Sequence, residues 1–324
     1  MSRYRRILVL LLSLCSIPSW AQQLRTLHEG QEQDSSIYHA LRISSNEIWL
    51  AGEYGILKRI DSAGNMNSIV YPNQGDNILH MLLRNRTIYL GTENGRIYTY
   101  NRDSNTWACR QFKHFRHRAF YGMEILENGE ILLCGGGRRV SRGGMGMPRG
   151  FIARTDTTLF TIKKEWRSPF KFVWDIEHYK DAVYAVAYNG FSSRMWVSHA
   201  NGKWEKHEKQ PMLVHDLYEA DSAFWLCGMR NINLNKNGRA VAQGQTIQKF
   251  SNSGALWGMS RSPEGSILAV SHAGTLEIVK TGTQSIQTSA LRVGRPLYTL
   301  AWFNESSTVV AGHAHSVYLL QWPK

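Results

Sequence analysis

The sequence contains little cysteine and little proline: four cysteines and eight prolines among 324 residues. Cys15 lies in an N-terminal apolar segment, so Cys109, Cys134 and Cys227 would remain in a processed chain. An odd number of cysteines in a chain of this size argues against a disulfide framework. The fold must therefore be stabilised by its core.

The sequence also lacks helical periodicity and the motifs of common catalytic centres. There is no G-x-S-x-G, no H-E-x-x-H and no Cys/His spacing typical of a metal site. No distinctive pair of carboxylates of the kind that glycosidases use is evident. We therefore expect no cofactor and no metal, and the sequence leans away from an enzyme.

One long apolar run is present, and it lies at the N-terminus. Arg3, Arg5 and Arg6 precede the run ILVLLLSL, which is followed by IPSWA. This order is typical of a signal peptide cleaved after Ala21, and the run is too short for a membrane anchor. We expect a signal peptide over residues 1–21, a single domain over 22–324, and a secreted or periplasmic protein without a membrane span.

Acidic residues are fewer than basic ones, and the formal charge is +13. Removing the three leader arginines would leave +10. A basic protein outside the cytoplasm meets little nucleic acid, so an anionic polysaccharide or an acidic protein is the better candidate partner. The alternative is that scattered Lys and Arg only keep the surface soluble, because no run of five basic residues occurs.

A short pattern recurs seven times, as in IYHAL at 37, VWDIE at 173 and LYTLA at 297. Its second positions are Tyr38, Leu79, Tyr121, Trp174, His215, Trp257 and Tyr298. Successive spacings are 41, 42, 53, 41, 42 and 41 residues. Such near-equal periods predict a repeat architecture.

Each repeat continues with a second short apolar run, such as IWLAG or WLCGM, then a turn and further short strands. Four short strands in each of seven units predict an all-β fold, a seven-bladed β-propeller of four-stranded antiparallel blades. A β-helix has much shorter rungs, and a sandwich would not give seven equal periods. We expect a monomeric domain.

The two ends of the chain predict how the ring closes. The seventh unit ends after its third strand, and QLRTLH at 23–28 has no other assignment. We expect this N-terminal strand to complete the last blade, which would remove an open edge. Cys134 and Cys227 fall in the small, apolar second-strand column, so we expect both to be buried and not bridged.

The units resemble the WD40/YVTN superfamily of propellers, most closely in LWGMSRSPEGSILAVSHAGTLEIVKTG and LYTLAWFNESSTVVAGHAHSVYLLQW. LAGEYGILKRI and YLGTENGRIYTY also resemble exported propellers related to photosystem assembly factors. The Trp-Asp and Gly-His dipeptides typical of WD40 repeats are missing. The resemblance implies a fold and no activity.

The third unit is longer than the others by about 11 residues, which fall in GGGRRVSRGGMGMPRG at 135–150. Its four arginines are suited to bind carboxylate, sulfate or phosphate groups. The alternative is a decorative insertion without a ligand. These candidate ligand-binding residues are Arg138, Arg139, Arg142 and Arg149.

The first strands supply the other candidate residues near the channel. Aromatic rings there could stack on sugars or on partner side chains, and Asp or His could act as acid and base. Equivalent positions in every blade can also be simple packing positions. Adjacent residues point to opposite faces of a regular strand, so we expect Trp174 and Asp175 not to share a cleft. The aromatic set is Tyr38, Tyr121, Trp174, His215, Trp257 and Tyr298, and the polar set is His39, His80, Asp175 and Asp216.

The sequence thus predicts an exported, non-enzymatic binding or scaffold propeller that recognises a protein or an anionic glycan through its loop face. The alternative is an enzyme acting on a polysaccharide or a lactone at the channel mouth.

Overall fold

The computed structural model describes residues 23–31, 35–73, 75–137, 140–141, 144–145, 149–159, 161–168, 172–188, 193–199, 202–209, 213–220, 223–229, 238–242, 248–250, 254–262, 267–279 and 288–322. The predicted leader at 1–21 lies outside these residues. The described part is built from strands and three short 3₁₀ turns, Glu53–Gly55, Lys113–Phe115 and His313–His315.

The first half of the chain forms an N-terminal strand and three four-stranded units, with a small hairpin inside the third. These strands are β1 (Gln23–His28), β2 (Ile37–Ser44), β3 (Glu47–Gly52), β4 (Leu57–Asp61), β5 (Met66–Ser68), β6 (Ile78–Arg84), β7 (Thr87–Thr92), β8 (Arg96–Asn101), β9 (Thr106–Gln111), β10 (Ala119–Ile125), β11 (Ile131–Gly136), β12 (Val140–Ser141), β13 (Gly144–Met145), β14 (Phe151–Thr155) and β15 (Ile162–Arg167).

The second half continues in the same way. Its strands are β16 (Phe172–Tyr179), β17 (Ala182–Tyr188), β18 (Ser193–Ser198), β19 (Trp204–Lys209), β20 (Leu213–Ala220), β21 (Ala223–Met229), β22 (Gly238–Ala242), β23 (Gln248–Phe250), β24 (Leu256–Arg261), β25 (Ile267–Ser271), β26 (Thr275–Val279), β27 (Thr288–Arg292), β28 (Leu297–Asn304), β29 (Ser307–Gly312) and β30 (Val317–Gln321).

The sheets follow the repeat. Five sheets have four strands each, and an eight-stranded sheet consists of two such units joined where Gly136 pairs with Phe172. Counted in this way, the described residues contain seven four-stranded antiparallel units. Each first strand packs against the first strands of the units before and after it, including β28 against β2. The fold is therefore a β-propeller with its first strands around a central channel, as expected.

The ring closes through the N-terminal strand. β1 pairs with β30 from Gln23 opposite Gln321 to His28 opposite Val317, so it is the fourth strand of unit seven. Leu24 packs into the core between units six and seven, and Leu27 packs into the core between units seven and one. The prediction that residues 23–28 complete the last blade is confirmed.

The hydrophobic core lies between neighbouring sheets. Ile37, Ile48 and Leu50 of unit one pack against Phe303 and Val309 of unit seven, for example. Blades that bury both faces in this way cannot fold alone, which explains why the architecture needs a complete ring.

The cysteines follow the second-strand column. Cys134 and Cys227 are buried on β11 and β21 and are free, while Cys109 on β9 is exposed and free. The expectation of buried, unbridged cysteines is confirmed.

Candidate functional site

Because consecutive strands of each unit are antiparallel, alternate connections lie at the same end of its sheet. The turn between second and third strands and the link into the next first strand lie at the same end of the sheets. In unit two the backbone N–H of Glu93, just after the second strand, donates to the carbonyl of Asn77, just before the first. Equivalent bonds join Glu53 to Ser36, His272 to Ala255 and His313 to Pro296. We call this end the channel-mouth face.

A β-bulge aims side chains into the channel in every unit. The pairing register between first and second strands shifts at the second residue of the repeat pattern in all seven units. In unit four, Val173 pairs with Ala187 and Asp175 with Val186, which leaves Trp174 as the extra residue. The expectation that Trp174 and Asp175 could not share a cleft is wrong, because both line one cavity.

The bulged residues form an aromatic belt around most of the channel. Ring centroids are 4.8 Å apart for Tyr121 and Trp174, and 4.2 Å apart for His215 and Trp257. Trp257 and Tyr298 are 5.8 Å apart, and Tyr298 and Tyr38 are 6.1 Å apart. Leu79 of unit two interrupts the belt. The aromatic belt consists of Tyr121, Trp174, His215, Trp257, Tyr298 and Tyr38.

The belt encloses a cavity of about 470 Å³, within the size range of small-molecule sites. We call it the mouth cavity. All ten first-strand candidates from the sequence line it. Its lining residues are Tyr38, His39, Asn77, Leu79, His80, Glu93, Ala119, Tyr121, Trp174, Asp175, His215, Asp216, Trp257, His272 and Tyr298. A second cavity of about 730 Å³ shares five of these residues and continues along the first strands to Arg42 and Arg261.

The carboxyl groups of Asp175 and Asp216 interact with each other in the mouth cavity. Asp175 accepts hydrogen bonds from the backbone N–H of Leu217 at 2.8 Å and of Ile176 at 2.9 Å. Asp216 accepts one from Met259 at 2.7 Å. Burial raises the pKa of Asp175 to about 6. Burial and the neighbouring Asp175 raise the pKa of Asp216 well above its usual range.

These bonds give the pair a structural role. The third residue of one repeat pattern accepts from the fourth residue of the next unit, whose N–H lies on the inner edge of its sheet. Asp175 binds Leu217, Asp216 binds Met259, and the hydroxyl of Thr299 accepts from Ala40 at 2.9 Å. The pair therefore joins units four, five and six.

The histidines of the cavity are neutral. The rings of His39 and His80 lie 4.3 Å apart. Burial lowers the pKa of His39 to about 4, and burial together with His39 lowers that of His80 well below its usual range. Burial also lowers the pKa of His215 to about 4, and its Nδ1 lies 2.8 Å from the carbonyl oxygen of Leu256, which only accepts. Among the described residues, no cluster of three or more His, Cys, Asp or Glu could hold a metal ion.

The third-unit insertion lies on the channel-mouth face, between β11 and β14. Arg138, Arg139 and Arg142 lie outside the described residues, and Arg149 is exposed. The guanidinium of Arg118 lies 5.6 Å from the centroid of the buried Phe151 ring. Exposed basic residues lie just before β10, just before β14 and at the end of β15. We call them the basic rim: Lys113, Arg116, His117, Arg149 and Arg167.

Sequence reasoning missed Glu53 and Glu93. Both follow a second strand directly, in AGEYG and GTENG. The Glu53 carboxylate accepts from the hydroxyl of Tyr38 and from the Ser36 amide. Glu93 accepts from the Asn77 side chain at 2.9 Å. The sequence does carry a sign of them, because a Glu stands directly after the second strand in two consecutive repeats.

Comparisons with known proteins agree on the fold. No protein-family model matches the chain, and no curated protein sequence matches it. A catalytically inactive virginiamycin B lyase from Staphylococcus aureus with quinupristin has a TM-score of 0.70 and 14% identity, over 93% of this chain and 100% of the lyase chain. YCF48 bound to D1 peptide has a TM-score of 0.67 and 13% identity, over 94% and 97%. The WD40 repeats of RRP9 have a TM-score of 0.69 and 9% identity, over 93% and 97%.

At these identities the likeness shows the fold alone, a WD40-like β-propeller, which the sequence predicted. No helix within the described ranges is long and apolar enough to cross a membrane.

Proposed function

We propose that this chain is a non-enzymatic binding propeller that takes an anionic partner on its channel-mouth face. The basic rim carries this proposal. Lys113, Arg116 and Arg149 are exposed in the links and turns of units two and three, and Arg167 is exposed at the end of β15. The described segments 112–118, 149–151 and 167–168 contain no acidic residue. A group of exposed cations raises the local potential and attracts an anionic surface.

An acidic protein segment is the partner we favour over an anionic polysaccharide. Structurally similar propellers include WD40 domains and a propeller bound to a peptide. The neighbouring aromatic belt supplies rings that suit side-chain contacts at an interface.

The place of action belongs to the same proposal. A leader over residues 1–21, cleaved after Ala21, would deliver the domain of residues 22–324 to the periplasm or the medium. The free Cys134 and Cys227 are buried, which protects them in an oxidising compartment. N-terminal sequencing of the exported chain tests this, with Gln22 as the expected first residue.

Charge reversal on the basic rim tests the binding role. We expect Arg116→Glu combined with Arg149→Glu to weaken binding of a polyglutamate peptide by about tenfold or more at low salt, since two attractive charges become repulsive. Isothermal titration calorimetry at two salt concentrations measures the loss, and the wild-type affinity should fall with salt.

The matched control carries the same charge change on the opposite face. Arg86→Glu with Lys203→Glu alters exposed residues in a first-to-second and a third-to-fourth turn. Equal weakening by both double variants would show non-specific attraction and refute the proposed face. Tighter binding of heparin than of polyglutamate, with the same dependence on the rim, would assign the face to a polysaccharide instead.

An enzyme remains the second candidate because two neighbouring carboxyl groups with raised pKa values line the mouth cavity, and because a lyase has a similar fold. Against this, both oxygens of Asp175 and one of Asp216 accept backbone N–H groups. Because these oxygens are already used to hold neighbouring units together, the two carboxyl groups have a structural role. This favours a binding function over a catalytic one. Turnover of a lactone or polysaccharide that Asp175→Asn abolishes, in a variant that still folds, would favour the enzyme.

A further inference from the structure

The mouth cavity has the opposite chemistry from the basic rim. None of its fifteen lining residues is Lys or Arg, although the chain carries a formal charge of +13. Two of its acids, Glu93 and Asp175, belong to different units. The mouth cavity is therefore anionic although the protein as a whole is basic.

The electrostatics of the lining support this. Burial lowers the pKa of His39, His80, His215 and His272, so no histidine supplies a positive charge at neutral pH. Burial, with a contribution from the Glu93 carboxylate, raises the pKa of Tyr121 to about 12. The Glu93 carboxylate therefore acts on the neighbouring Tyr121 ring of the belt.

The walls provide aromatic faces and free polar atoms. Five Tyr and Trp rings of the belt surround the space, and such rings attract cations through their negative faces. Four buried nitrogens of the lining residues have no hydrogen-bond partner among the described residues: Nδ1 of His39, Nδ1 of His80, Nδ1 of His272 and Nε1 of Trp257. A buried polar atom without a partner is costly. Of these four atoms, only an unprotonated imidazole Nδ1 could accept from a ligand that donates hydrogen bonds, because the Trp257 Nε1–H is itself a donor.

We propose that the mouth cavity binds an organic cation, a primary ammonium on an alkyl stem, with its charge at Glu93 and its stem against the aromatic belt. A free alkylamine or a lysine side chain of a partner carries the same group. This site is independent of the basic rim, so it stands whether or not an anionic partner binds there.

Small probes test the proposal on the full exported chain. Nα-acetyl-lysine methylamide, which keeps its side-chain ammonium, and n-butylammonium should both bind saturably in an NMR saturation-transfer titration. The neutral isostere N-acetyl-norleucine methylamide should bind about tenfold more weakly or worse, given the usual size of desolvated cation–π and charge contributions. Binding of n-butylammonium but not the lysine derivative would assign the cavity to free amines; the reverse would assign it to a side chain.

Two isosteric variants locate the site. Glu93→Gln should weaken lysine-derivative binding at least about fivefold, whereas Glu127→Gln, which removes an exposed charge from the opposite face, should leave it unchanged. The rim variant Arg116→Glu/Arg149→Glu should also bind the cation normally. Equal binding of the norleucine probe, no saturable binding of either cation, or unchanged affinity in a folded Glu93→Gln variant would overturn the proposal.

Discussion

Removing residues 22–28 from the processed chain should lower the thermal unfolding midpoint by about 10 °C. The truncated chain loses the ladder between β1 and β30 and the packing of Leu24 and Leu27. Ladder hydrogen bonds contribute about 1 kcal/mol each and a buried leucine about 2 kcal/mol, which gives a loss of roughly 5 kcal/mol or more. It also exposes the edge of β30, so the variant should aggregate on heating.

Differential scanning calorimetry measures the change, and point variants separate packing from chain length. Leu24→Asn should reproduce part of the loss, because Leu24 packs between units six and seven. Thr26→Ala, on the exposed side of the same strand, is the matched control and should unfold within about 1 °C of wild type. A truncated chain with an unchanged midpoint would contradict ring closure by β1.

At pH 8, Asp216→Asn should raise the free energy of unfolding and Asp216→Ala should lower it. Asp216→Asn keeps an oxygen to accept from the Met259 N–H and removes an acid beside Asp175. Its free energy of unfolding should rise by about 1 kcal/mol, since one pKa unit corresponds to about 1.4 kcal/mol. Asp216→Ala leaves the Met259 N–H without its acceptor and should lower stability by about 2 kcal/mol.

The pH dependence follows from the direction of the shifts. The folded-state pKa of Asp175 is about 6, above its usual 3.8, so the native state binds protons more tightly. This pair therefore stabilises the fold as pH falls from about 6 towards 4, and that contribution is lost as pH rises through 6. His39 and His215 have the opposite effect on stability. Their pKa values are about 4 in the folded state, so the unfolded chain takes up protons first, and the fold loses stability as pH falls below about 6.5.

The difference between Asp216→Asn and wild type isolates the carboxyl pair, because both proteins keep the histidines. We expect the advantage of the Asn variant at pH 8 to shrink by pH 5, where the Asp pair is protonated. Urea unfolding at both pH values measures it. Asp181→Asn, an exposed acid in the turn between β16 and β17, is the control. An advantage that grows on acidification would contradict the raised pKa values.

The repeat made the fold predictable. Apolar residues such as Ile37 and Val214 are buried between sheets at the same place in each unit. Apolar residues therefore recur at nearly equal intervals in the sequence. The closing strand was predictable for a related reason, because a seventh unit without a fourth strand requires one from elsewhere.

The site was less predictable because it depends on bulges and on neighbouring units. Period-two alternation placed Trp174 and Asp175 on opposite faces, and only the register shift brings both to the cavity. The Asp175–Asp216 repeat was visible, yet its bonds to Leu217 and Met259 reach into other units. Glu93 was overlooked because a Glu in a turn is usually a solvated residue.

Hydrogen–deuterium exchange with a saturating polyglutamate peptide tests most directly whether the channel-mouth face is the binding surface. We predict slower exchange in segments 112–118 and 149–151, with no change in the turns at 101–105 and 127–130 on the opposite face. Protection confined to those opposite turns, or no protection at any segment, would contradict the binding role proposed for this face.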